Sequence, residues 1–234
     1  MAKEIEQYFT YFWANDKNYC VQDEADQDIL RELPPGIQAN IYRDFLFKDF
    51  LQSFHQHFSF KKLSKSLRAG YGLAGYWNWD DSIYSKFMID VCQTLEPRYY
   101  AQGTNIFEEG EQIDEMIYVL RKDMSKPSTC VSQYAIGYMS QRGQRYFKVR
   151  LGPKSVIGGY EMLFNHYSEF TYRALSDVEA YSIRRQTIMP IFGEVETPDF
   201  KKQMMLYMLD YYQQIVREPM LEFKLKIESQ NSKK

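Results

Sequence analysis

Long apolar runs are missing from this chain. No stretch approaches the roughly 18–20 residues of a membrane span, and no signal peptide is read at its start. Cysteine is scarce: Cys20, Cys92 and Cys130 stand far apart without metal-ligand spacing, and read as reduced thiols of a cytosolic protein. Basic excess is absent too. A net charge of -2 and a pI near 6.0 argue against a general nucleic-acid binder. His55, His57 and His166 have no Cys or carboxylate partners at ligand spacing, so no metal site is expected. GxSxG, HExxH, P-loop and Cys-His nucleophile patterns do not occur, and no residue set argues for an enzyme.

The 234 residues suffice for one good core or two small ones. Helical spacing dominates the first 60. Ile5, Tyr8, Phe9, Phe12 and Trp13 make one apolar stripe, and Ile29, Leu30 and Leu33 a second that Pro34-Pro35-Gly36 closes. Ile37, Ile41 and Phe45 start a third helix, and Phe50, Leu51, Phe54 and Phe58 continue into a fourth. Such short helices must pack on one another, on a neighbouring domain or on another subunit.

Lys61, Lys62, Lys65 and Arg68 form a basic patch before GYGLAGYWNWDD, the least regular segment. The patch predicts either contact with anionic lipid headgroups, at about 1 kcal/mol per charge, or a solvated helix face. Gly70–Gly75 matches GxGxxG, but a helical segment precedes it and no helix follows, so residues 61–80 read as an insert. The domain boundary is placed there, dividing the chain into 1–80 and 81–234.

Ile83, Phe87, Val91 and Leu95 mark one more helix. From Glu96 to Arg184 the texture becomes short β-type runs with turn signals at Gly103, Gly110, Gly143 and Gly152-Pro153. Eight candidate strands suggest a β-roll or jelly-roll barrel, and the fold class is α+β. Phe200, Met204, Met208, Tyr211 and Ile215 then line a long helix that Pro219 stops. Beyond it Leu221, Phe223, Leu225 and Ile227 alternate with charged residues, which predicts a strand over 220–228. The alternatives are a frayed extension of the preceding helix and a strand pairing with another subunit.

The stretch Leu151–Ile183 outlines a phosphate-holding turn. Gly158 and Gly159 precede one helical turn (Tyr160 to Phe164, Met162 within it), and a strand follows. Yet no Arg or Lys occurs from Val156 to Tyr172, and Glu169 sits where a cation would be wanted. The plain reading of the glycines is a tight turn with no ligand.

YAQGTNIFEEGEQIDEMIYVL (Tyr100–Leu120) resembles the front half of the cyclic nucleotide-binding fold, and Leu151–Ile183 its back half, phosphate cassette included. QDILRELPPGIQANIYRDFLF (Gln27–Phe47) is similar to the C-linker of tetrameric cation channels of the cyclic-nucleotide-gated, hyperpolarisation-activated and ether-à-go-go-type superfamily. The resemblance implies a cytosolic, non-catalytic gating and homotetramerisation module of a potassium-type cation channel, with the pore and the first linker helix upstream of Met1. In binding members the cassette begins Phe-Gly-Glu and later presents Arg then Ser or Thr. Here those places hold Ile157-Gly158-Gly159, Ser168 and Glu169, while Arg173 lies too near Tyr181 to substitute.

A charge-assisted hydrogen bond is worth roughly 1.5–3 kcal/mol, so these losses should cost several decades of affinity for cyclic AMP or cyclic GMP. No cofactor is therefore expected. The resemblance further implies that the chain's own tail fills the cavity, with Leu221, Phe223, Leu225 and Ile227 as the intrinsic ligand. A cyclic-nucleotide sensor with an atypical pocket, in a channel or a soluble regulator, is the competing expectation. A transcription regulator would need more than the roughly 15 residues left after the long helix.

Overall fold

The computed structural model describes residues 2–19, 24–66, 70–121, 132–140, 143–193 and 199–231. They form two compact units, one of residues 1–14, 96–185 and 205–234, the other of 15–95 and 186–204.

The first unit is the β-roll. Its strands are β3 (Glu96–Tyr100), β4 (Asn105–Phe107), β5 (Glu115–Val119), β6 (Tyr134–Met139), β7 (Arg145–Leu151), β8 (Val156–Ile157), β9 (Thr171–Ala174) and β10 (Val178–Arg184). They build two antiparallel four-stranded sheets, ordered β3-β10-β5-β8 and β4-β9-β6-β7. Hydrophobic texture explains the order. β5 reads EMIYV, is buried from Met116 to Val119 and pairs on both edges, whereas β7 alternates and carries Arg145, Lys148 and Arg150 on an outer edge. Charge on an edge discourages pairing with another chain. Helix α1 (Ala2–Asn15) joins this unit through Tyr11, whose ring lies 5.6 Å from that of Tyr99.

The second unit holds helices α2 (Glu24–Glu32), α3 (Pro35–Asn40, continued by a π-helical turn over Ile41–Leu46), α4 (Lys48–Ser53) and α5 (Ser82–Gln93). Proline at the first turn of α3 matches a position whose N–H has no helical partner. The core is aromatic: Phe60 and Phe200 stack at 4.6 Å, with Phe87 4.8 Å from Phe200. α5 therefore shares a core with residues before position 80, and the expected division into 1–80 and 81–234 does not match these units.

Two further expectations are corrected here. The insert is a β-hairpin rather than a helix and an irregular loop: β1 (Lys61–Ser66) pairs antiparallel with β2 (Gly70–Tyr76). Small residues in GYGLAGY tolerate an extended chain once a partner strand is present, and cross-strand pairing outweighs local preference. The GxGxxG match therefore lies within a strand. The Gln203 amide clamps the hairpin's start, accepting from the Lys61 N–H (2.6 Å) and donating to its carbonyl (3.0 Å). Lys62 is paired with Asp81 at 2.7 Å and lies over the Trp77 ring. Arg68 and the Lys65 side chain lie outside the described residues.

The tail is a helix, not a strand. α8 (Phe200–Tyr211) runs through a π segment (Tyr212–Arg217) into α9 (Glu218–Asn231). Pro219 does not stop it, because the proline's missing donor falls where the helix already departs from α-type bonding. Alternation over Leu221–Ile227 hid a longer period. Val216, Met220, Phe223 and Ile227 recur at helical spacing, the first two buried and the others half-buried, while Leu225 is 66% exposed. Leu, Glu and Lys favour helix as well.

Candidate functional site

The cassette begins where β8 ends. Gly158 takes φ +75°, a left-handed conformation that costs glycine little, and helix α6 (Gly159–Phe164) starts on it. A Cβ at Gly158 would stand 2.8 Å from the Glu115 carbonyl and 2.9 Å from both Ile113 and Phe107. Left-handed Asn165 ends the turn. The glycine-turn-helix-strand outline is present as expected.

The space above it is not free. A Cβ at Gly159 would meet the Met208 sulfur at 2.8 Å, so the close approach that glycine permits is taken by the chain's own α8. Tyr212 stacks on Tyr160, centroids 4.5 Å apart and planes within 13°. The Tyr211 hydroxyl accepts from the Val156 N–H at 3.2 Å. What remains is a cavity of about 10 Å³, lined among others by Glu161, Tyr172, Tyr212 and Val216. That holds about one water, whereas small-molecule pockets run to about 300–1,000 Å³.

Each expected site residue has a definite place. Gly158, Gly159 and Tyr160 line the cavity, while Met162 is buried in the core behind it. Ser168 is buried and its hydroxyl donates to the Phe170 carbonyl at 2.7 Å, which closes a turn. Glu169 faces outward and pairs with Arg217 of the closing helix at 3.2 Å. Leu221, Phe223, Leu225 and Ile227 line no part of the cavity. Instead Phe223 lies 6.1 Å from the Tyr138 ring with the Lys148 ammonium over it, on the β6–β7 hairpin. The intrinsic-strand expectation is thereby overturned; the helix itself occupies the space.

Glu161, Tyr212 and Arg217 have no place in the sequence reading, and Met208 and Tyr211 appear there only as part of the long helix's apolar stripe, not at the cavity. Met204, Met208, Tyr212, Val216 and Met220 are all buried at intervals of four. A strict four-residue repeat drifts around an α-helix, and the π segment, whose i→i+5 bonds widen the turn, compensates for it. Expecting an uninterrupted α-helix selected Tyr211 and Ile215, and Ile215 is exposed.

The electrostatics of the cavity follow from burial. Glu161 is 1% exposed; one carboxyl oxygen accepts from the Tyr172 hydroxyl at 3.3 Å. Burial is the main force that pushes this carboxyl up to about 7, opposed first by its own backbone N–H and then by the Tyr172 hydroxyl, and reinforced by Glu169. Tyr172 and Tyr212 are likewise driven upward by burial and stay neutral. An anion entering here would meet a carboxyl group and phenols.

The outward Glu169–Arg217 pair is nearly half exposed on both sides. Arg217→Ala is therefore expected to lower stability by less than about 1 kcal/mol, read from the midpoint of a urea titration. A loss above about 2 kcal/mol would mean that this pair, rather than packing, holds the helix down.

Among the described residues no group of three or more His, Cys, Asp and Glu could hold a metal ion, and no helix is long and apolar enough to cross a membrane. No family model matches the sequence, and no curated protein matches it. Solved structures do. One is a cAMP-bound PfPKA-R, 19% identical, covering 45% of this chain and 34% of that one, at a TM-score of 0.38. Another is the catabolite activator protein of Thermus thermophilus, 18% identical over 60% of this chain and 58% of that one, at 0.44. A third is the regulatory domain of Toxoplasma gondii PKA with cAMP, 12% identical over 54% and 43%, at 0.42.

Proposed function

We propose that the β-roll unit is a non-catalytic regulatory module of the cyclic nucleotide-binding type, whose cassette is shut by its own C-terminal helix. One observation carries the reading: Met208 sits on Gly159, where a ligand phosphate would have to approach. The chemistry agrees, since the nearby buried side chain is a carboxyl and no cation among the described residues lines the cavity. A ligand would have to lift the helix and then bind without a guanidinium, two costs in series.

The wider assignment is a cytosolic gating element of a tetrameric, potassium-type cation channel, with homotetramer contacts through the helical N-terminal region and the pore upstream. It rests on the resemblance of Gln27–Phe47 to a C-linker, and α2, Pro34-Pro35 and α3 follow in the order that the resemblance implies. Apolar side chains exposed on those helices, Ile29, Ile37 and Phe45, suit contact with neighbouring subunits.

Calorimetric titration with cyclic AMP and cyclic GMP tests the closed cassette. No saturable binding tighter than about 100 μM is expected, since two charge-assisted bonds at roughly 1.5–3 kcal/mol each are missing. Tighter binding of either nucleotide would overturn the reading in favour of a sensor with an atypical pocket.

A further inference from the structure

We infer that the Glu161 carboxyl is a proton-operated latch: protonated, it lies under the closing helix at little cost, and ionised, it drives that helix off the cassette. The inference rests on the closed cassette proposed above and adds what would open it. Neither the channel assignment nor a nucleotide enters it.

The geometry is specific to this residue. Glu161 occupies the middle of α6, under Tyr212 and Val216 of the closing helix. One of its oxygens is engaged by Tyr172, and the other is buried with no hydrogen-bond partner among the described residues. The Tyr212 hydroxyl, on the closing helix, is also buried without one. Such a site accommodates a neutral carboxyl and penalises an ion.

The groups around it compensate an ion only in part, through the Tyr172 hydroxyl and the backbone N–H of Glu161 itself. Tyr172 faces it from β9, Tyr134 from β6 and Tyr212 from the closing helix; Tyr160 is its neighbour on α6, and Glu169 acts from the loop that follows. All the phenols are shifted upward and remain neutral near pH 7, and Glu169 opposes ionisation of Glu161. Arg217, the cation contributed by the closing helix, is held at the surface by Glu169.

The sign follows from linkage. An acid whose pKa is raised in the closed state favours closure below its ordinary value of 4.5 and loses that advantage as pH climbs toward about 7. Above that range the penalty is constant. Lifting the helix would admit water to the carboxylate and return it to ordinary behaviour.

Amide hydrogen exchange on the full chain tests this, comparing the native protein with Glu161→Gln at matched pH so that the chemical exchange rate cancels. Over Tyr211–Arg217 and Gly159–Phe164, the native-to-variant ratio of opening is expected to rise by about tenfold or more between pH 5 and 7.5. A ratio that stays flat overturns the latch. Tyr172→Phe supplies a second reading, and serves alone if Glu161→Gln does not fold. Losing a donor to the carboxylate should let the rise in opening continue to higher pH before it levels off, and an unmoved upper limit also overturns it. Tight cyclic-nucleotide binding with a rising ratio would sink the proposed function and leave the latch standing. A flat ratio without nucleotide binding would do the reverse.

Discussion

Gly158→Ala is expected to destabilise the β-roll unit by about 2–5 kcal/mol, the sum of left-handed backbone strain and overpacking. The new methyl would press on the Glu115 carbonyl of β5 at 2.8 Å and on Ile113 and Phe107 at 2.9 Å. β5 is paired on both edges and cannot withdraw. Gly110→Ala separates the two contributions. Gly110 has φ +82° but nothing within 4 Å of a Cβ, so only strain of about 1–2 kcal/mol is expected there. Urea titrations of both variants, followed by far-UV dichroism, give the comparison. Equal losses would mean that the cassette turn is not packed against β5 as closely as described.

Phe200→Ala should cost about 3–5 kcal/mol in the other unit, the usual range for deleting a buried phenyl ring. Its ring is fully buried and meets Phe60 at 4.6 Å, Phe87 at 4.8 Å and Trp77 at 5.5 Å. Three chain segments lose a shared partner at once: α5 at Phe87, β2's continuation at Trp77 and the Phe60 stretch that leads into β1. Because the protein has two units, unfolding need not be a single transition. Trp fluorescence reports chiefly on this unit, which holds Trp77 and Trp79, and its transition should shift well ahead of the β-roll's. Leu206→Ala, at an exposed position of α8, serves as the reference and should change stability by less than about 0.5 kcal/mol. If Phe200→Ala behaves like Leu206→Ala, the aromatic core is not the source of this unit's stability.

The strands of the roll were legible because each obeys a local rule. Tyr146–Leu151 and Val178–Ile183 were read within a residue or two of β7 and β10, since turn glycines bound them and β-branched or aromatic residues fill them. Helices α2, α3 and α5 were legible through apolar spacing and the Pro34-Pro35 signal. The hairpin was not. Lys61–Ser66 has no intrinsic strand pattern, and its extended form depends on β2 beside it and Gln203 beneath it. The tail misled for a related reason, since LEFKLKIE satisfies period two and, with Val216 and Met220 included, a helical period equally well. A strand needs a partner edge, and the Glu222–Lys226 spacing and Phe223 packing show which period was used.

For the glycine turn, the local sequence alone dictated that no Arg or Lys lies between Val156 and Tyr172 and that two glycines allow something to come close. Charges and the absence of a Cβ are properties of residues, so no fold is needed to read them. What came close was decided only in three dimensions. Met208 and Tyr212 lie some fifty residues downstream of Gly159 and Tyr160, and a π segment sets which helix face they share. The burial of Glu161, and with it the character of its carboxyl, exists only once that helix is in place, because desolvation belongs to the packed structure rather than to the residue.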